Sequence, residues 1–317
     1  MVSKVELGSG PFAYEVAVGW GKLPPGYSWR DAAAVAVDSK DRVYVFGRSD
    51  PPMMVFDKEG NFLSSWGEKL FKRAHGLTIG PDDTLYCVDD FGHVVRHCTA
   101  DGKVLMTLGV PGKPSEPHSG LPFNRCTDVA LDPKTGDIYV ADGYANSAVH
   151  KYSPDGKLLF SWGKPGTDPG EFNIVHNIAT DKEGHVYVAD RENHRVQVFD
   201  SNGRYETQWV NMHRPCALYI SDDQQVYIGE LGAEMMVNRA VPNIGPRISI
   251  FNTSGERLAR LGHPGFGFDV GQFYAPHSIC LDSAGNIFLG EVDWTYCQSL
   301  GEPRDDVRSL QKLAKVG

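Results

Sequence analysis

The chain has 317 residues, 41% hydrophobic and 22% charged, with a formal net charge of −9. That supplies a large core and argues against a general phosphate-binding surface, so nucleic acid is not an expected partner. No stretch approaches the roughly 18 apolar residues of a membrane helix, no leader pattern opens the chain, and six scattered cysteines without a CxxC pair fit buried thiols in a reducing, cytoplasmic compartment.

From the N-terminus, Phe12 to Trp20 (FAYEVAVGW) alternates as a strand does. Residues 34–67 then run through four β-rich segments separated by polar, Gly-containing turns, and residues 74–109 repeat the pattern. It is clearest at residues 126–163 (CTDVALDPKTGDIYVADGYANSAVHKYSPDGKLLFSWG) and 175–210 (VHNIATDKEGHVYVADRENHRVQVFDSNGRYETQWV). Asp/Asn-Gly turns between β-branched and aromatic runs are hairpin signals, so each unit reads as four antiparallel strands. A fifth unit spans 215–262 and carries an insertion, Leu231 to Pro246, whose conformation the pattern does not give. The sixth begins at Pro276-His277 and runs to about residue 296, after which Arg304 to Val316 reads as a short C-terminal helix.

Six four-stranded units of about 50 residues predict a single all-β domain over 1–317, a six-bladed β-propeller. The sixth unit lacks a fourth strand, and the segment 12–20 is expected to supply it, closing the ring and removing a free edge. The linkers Gly163-Lys164-Pro165-Gly166 to Gly170-Glu171-Phe172, and Gly262-His263-Pro264-Gly265 to Gly271-Gln272-Phe273, resemble the NHL repeat family.

His75, His176 and His277 are separated by 101 residues and 101 again, and each opens the first strand of unit two, four or six. In a propeller that strand lines the central channel, so three imidazoles from alternate blades converge on one axial point. Neutral imidazole suits Zn²⁺, with Fe²⁺ or another divalent ion as an alternative, and three protein ligands leave an open position, as catalytic sites do. Arg48 and Arg191 follow the second strands of units one and four, and Tyr144 lies one residue beyond that register in unit three. Two facing guanidiniums near a metal suit a carboxylated small molecule. A tyrosine beside cations would have its phenolate favoured, making it a general base. The competing reading of each arginine is an ion pair with a blade acid such as Asp142 or Asp190. Asp89, Asp142, Asp190, Glu230 and Glu291 recur at one blade position, which favours turn capping.

At these residues the chain resembles the peptidyl-α-hydroxyglycine α-amidating lyase family, over roughly 34–292 and most densely in TDVALDPKTGDIYVADGYANS and HVYVADRENHRVQVF. The resemblance implies a six-bladed propeller lyase that breaks an N-acyl α-hydroxyglycine into an amide and glyoxylate. It also implies zinc on His75, His176 and His277, Tyr144 as catalytic base, and Arg48 and Arg191 on the substrate carboxylate. Three positions depart from the family. Ala275 replaces its Met, Ser278 replaces the Asp that ligates a structural Ca²⁺, and Ala145 replaces a cysteine that pairs with one upstream. These weigh against the calcium and the disulfide. No peptide-oxidising domain is expected within the chain, and no protein partner is evident. Two other readings stay open: a non-catalytic NHL propeller that binds a protein, and a metal-dependent hydrolase or lactonase, against which the all-histidine set weighs.

Overall fold

The computed structural model of the protein describes residues 4–232, 236–238, 241–263 and 265–317. Six antiparallel sheets, five of four strands and one of five, form the blades of a β-propeller. Blade four shows the unit: Val175–Thr180 innermost, then Val186–Asp190, Arg195–Phe199 and Tyr205–Trp209. Inner strands such as Val186–Asp190 are buried on both faces and read as near-continuous apolar runs, while the outermost strand is largely exposed.

Each first hairpin is built from its own sequence. Asp181 accepts the backbone N–H groups of Glu183 and His185 and, on its other oxygen, the Tyr187 hydroxyl at 3.0 Å. Asp38 with Tyr44, and Asp132 with Tyr139, repeat the device in blades one and three. An aspartate that bonds backbone two residues on closes the turn in an Asx motif.

Neighbouring blades interlock. Trp66, Trp162 and Trp209 end fourth strands and pack on Gly102, Gly203 and Gly255 of the following blade, where an added Cβ would stand 2.6, 2.7 and 2.4 Å from the indole. On the inner side, Asp128, Asn177 and Ser278 accept the backbone N–H of Ile178, Leu218 and Val35 in the next blade, at 3.4, 3.0 and 3.1 Å.

Blade six corrects the sequence reading. Its order is Pro276–Leu281, Ile287–Glu291, Leu310–Lys315, Tyr14–Val16 and Glu6–Leu7. The N-terminal strand closes the ring as the fourth strand, as expected. The stretch 304–316, expected to be helical, holds the third strand, and the short helix lies earlier, at Asp293–Ser299. Leu310 and Leu313, three apart, satisfy a helical spacing locally. The exposed edge of Ile287–Glu291 decides otherwise, because its unpaired backbone groups need a partner.

No helix among the described residues is long and apolar enough to cross a membrane. All six cysteines, Cys126 included, are free and buried. Part of the Leu231–Pro246 insertion, residues 233–235 and 239–240, lies outside the described residues.

Candidate functional site

The innermost strands are not regular at their start. In blades one, two, four, five and six the pairing with the second strand slips at the position held by Ala33, His75, His176, Cys216 and His277. A β-bulge re-aims one side chain out of the pleat, and here it turns that residue toward the axis. Three histidines therefore meet: their ring centroids lie 4.7 to 5.0 Å apart, and one ring nitrogen from each falls within 4.8 Å of the others. Among the described residues, no other three metal-capable side chains come together in this way.

The other ring nitrogen is held by the neighbouring blade. Nδ1 of His75 lies 2.7 Å from the Thr127 carbonyl, that of His176 2.8 Å from Cys216, and that of His277 2.7 Å from Ala33. A carbonyl only accepts, so each Nδ1 carries the proton and each Nε2 presents its lone pair. Burial holds all three imidazoles well below their ordinary pKa, reinforced by the other histidines around His75, by Arg191 near His176 and by Arg48 near His277. Three neutral, pre-oriented imidazoles are a donor set that can hold a divalent metal.

Tyr144 sits in the loop between Ile138–Asp142 and Ala148–Tyr152, its hydroxyl 3.0 Å from Nε2 of His75 and 3.2 Å from Nε2 of His176. Gly143 makes this approach possible: an added Cβ would come within 1.7 Å of the Val175 carbonyl oxygen. Arg48 leaves the second strand of blade one, donating to Asp31 at 3.1 Å and to the Thr295 hydroxyl at 3.0 Å. Arg191 opens the turn Arg191–Asn193 and pairs with Glu192 at 2.7 Å. Neither arginine bonds Asp142 or Asp190. Burial opposes the Arg191 charge, but Tyr144, Cys216 and Glu192 outweigh it and raise its pKa. A pocket of about 190 Å³ brings Arg48, Arg191, Tyr144 and His277 together. A cavity of about 310 Å³ on the other side of His277 is walled by backbone and by residues such as Ala34, Val129 and Leu218, with no cation.

The recurring acids cap turns, as their register suggests. Asp89, Asp142, Asp190, Glu230 and Glu291 accept the backbone N–H of Lys72, Asn124, Asn173, His213 and Tyr274, each three residues ahead of the innermost position.

The sequence reading missed three further arginines in the pocket, Arg73, Arg125 and Arg214. All three stand two residues ahead of the innermost position, before His75, Thr127 and Cys216. Extending the histidine register upstream would have found them. Where the resembled family places an Asp, Ser278 bonds Val35 and offers no carboxylate.

The NHL repeat family matches residues 123–152 and 172–199. NHL repeat-containing protein 3 of Homo sapiens is 32% identical over 249 residues, which cover 73% of this chain and 71% of that protein. Peptidyl-alpha-hydroxyglycine alpha-amidating lyase 1 of Drosophila melanogaster is 32% identical over 256 residues, 74% of this chain and 45% of the relative. Peptidyl-glycine alpha-amidating monooxygenase A of Xenopus laevis is 37% identical over 277 residues, 80% of this chain but 27% of the relative. The chain thus spans less than half of the fly lyase and about a quarter of the frog protein. Among solved structures, an auxiliary nutrient binding protein from Bacteroides thetaiotaomicron superposes with a TM-score of 0.63 at 14% identity, covering 98% of this chain and 77% of that one. A virginiamycin B lyase from Staphylococcus aureus gives 0.58 at 15%, covering 86% and 81%. At such identities these structures speak for the fold alone.

Proposed function

The chain belongs to the NHL-repeat family that includes NHL repeat-containing protein 3 and the peptidyl-α-hydroxyglycine α-amidating lyases, and from that premise we propose a metal-dependent carbon–nitrogen lyase. Its substrate is a small N-acyl α-hydroxyglycine, and its products are the amide and glyoxylate. The observation that carries this reading is the meeting of three Nε2 lone pairs, two of them hydrogen-bonded to the Tyr144 hydroxyl, beside a pocket that also holds Arg48 and Arg191.

His75, His176 and His277 hold the metal, with Zn²⁺ the best match to an all-imidazole set and Fe²⁺ the alternative. When bound, the metal supplies Lewis acidity toward a substrate oxygen. Arg48 and Arg191 hold the α-carboxylate, and their partners Asp31, Thr295 and Glu192 keep the guanidiniums from swinging away. Tyr144 removes the proton of the α-hydroxyl. That oxygen then becomes the aldehyde oxygen of glyoxylate as the C–N bond breaks. The bonding pair leaves on nitrogen, which gains one proton in place of the one Tyr144 took, so the amide departs neutral.

The test is zinc-loaded protein incubated with a simple N-acyl α-hydroxyglycine. Glyoxylate and amide in equal amounts are expected; a protein with bound metal and no glyoxylate above the metal-only control overturns the reading. That result would favour a protein-binding propeller. For a lactonase the described residues offer no carboxylate beside the histidines.

A further inference from the structure

We propose that the pocket carries a second anion site, formed by Arg73 and Arg125, and that the acyl arm of the substrate ends in a carboxylate. This rests on the lyase reading for the first carboxylate, but the second site stands on its own geometry.

Five guanidiniums line the pocket, those of Arg48, Arg73, Arg125, Arg191 and Arg214. Arg48 uses Asp31, Arg191 and Arg214 both bond Glu192, and Arg73 and Arg125 divide Asp90. At Arg73 and Arg125 two guanidiniums thus meet one carboxylate, which leaves one positive charge in excess at that pair. A substrate α-carboxylate held by Arg48 and Arg191 does not answer it. Leaving it unanswered in a half-buried pocket is costly, and a second anion removes the cost.

The place for that anion is marked by how Arg73 and Arg125 are held. Asp90 is fully buried and takes both oxygens' worth of Arg73, through Nε at 2.7 Å and through Nη2, whereas Arg125 reaches a single oxygen at 3.2 to 3.4 Å. One carboxylate cannot satisfy two forked donors, so Arg125 retains N–H groups for a ligand. Phe91 lies against both guanidiniums, 3.8 Å from Arg73 and 4.9 Å from Arg125, and holds them as a pair. Arg125 also lies 4.5 Å from the Tyr144 ring centroid, which puts the second site beside the first. The small pocket suits a short arm and a compact diacid.

The experiment uses metal-loaded full chain and two unreactive analogues without the α-hydroxyl, N-succinylglycine and its neutral-armed counterpart N-butyrylglycine. Calorimetric binding is measured for the wild type, Arg125→Gln and Arg73→Gln. A tenfold to hundredfold preference for the succinyl compound is expected, the scale of one charge-assisted hydrogen-bonded contact. It should shrink with added salt and fall to within about threefold in Arg125→Gln. Arg73→Gln leaves Asp90 to Arg125 alone and cancels the excess charge, so it should narrow the preference as well, a second reading should the first variant fold poorly. Equal wild-type affinities, or a substitution that weakens both analogues alike, overturn the second site. The hydroxylated versions of both compounds are then assayed for glyoxylate. Discrimination without any glyoxylate refutes the lyase chemistry and supports the anion site, whereas equal turnover and equal affinity do the reverse.

Discussion

Blades two, four and six place an imidazole at the innermost position, and blades one, three and five place Ala33, Thr127 and Cys216 there. The pairing slips at this position in blades one and five as it does in the even blades, yet the two sets do opposite work. Even blades contribute the side chain that points at the axis. Odd blades contribute the main-chain carbonyl that fixes the tautomer and ring plane of the preceding blade's histidine. A side chain oriented by backbone costs little entropy to reorganise when a ligand arrives, and the orienting group survives almost any substitution of its residue. The odd blades are thus free to vary at a position where the even blades are not.

The strongest way to break this comparison is His176→Ala. Stoichiometric metal by elemental analysis should be lost, with affinity down on the order of a hundredfold to a thousandfold and turnover at background. Metal retained at full stoichiometry would mean that the histidines do not form one site. Next comes Tyr144→Phe. Its kcat should fall by about 10²–10⁴ while the metal content of the purified protein is unchanged, separating proton transfer from ligation. Arg191→Lys keeps the charge and loses the fork, and should raise KM by about tenfold with a smaller change in kcat, since bidentate geometry is what Lys cannot copy.

The odd-blade counterpart is Thr127→Val. Its carbonyl remains, so metal affinity should change less than about tenfold. Stability should drop by about 1 kcal/mol for the hydroxyl bond to the Val175 carbonyl at 2.9 Å. Denaturant titration beside zinc titration reads both, and a loss of metal comparable to that of His176→Ala would erase the distinction between blades.

The smallest effect concerns pH. Burial raises Asp128 to about 8, with the amides of Val129 and Ile178 pulling the other way. A carboxyl whose pKa is higher folded than unfolded favours folding when protonated. Its contribution is therefore full below about pH 4 and is lost as pH rises toward 8. The melting temperature should decline by a few degrees between pH 5 and 8, and Asp128→Asn should flatten that slope.

Part of this was readable from residues alone. The six units, their Asp/Asn-Gly turns and the equal spacing of His75, His176 and His277 follow from a local pattern repeated with a fixed period. Periodicity carries position without any knowledge of contacts. The role of Asp89 and its counterparts was legible for the same reason.

Three things were decided only by the tertiary structure. Residues 310–315 have a spacing that a helix tolerates, and only the open edge of Ile287–Glu291 makes them a strand. The bulge that turns each histidine inward is a mismatch between two strands, so neither strand's sequence states it alone. The carbonyls that set the imidazole tautomers, and the Asp90 that Arg73 and Arg125 share, come from residues 17 to 244 positions away. The sequence determined which side chains face the axis, because each blade repeats its own register. Their protonation, their orientation and the charge left over around them belong to the closed ring, because all three depend on what the next blade brings.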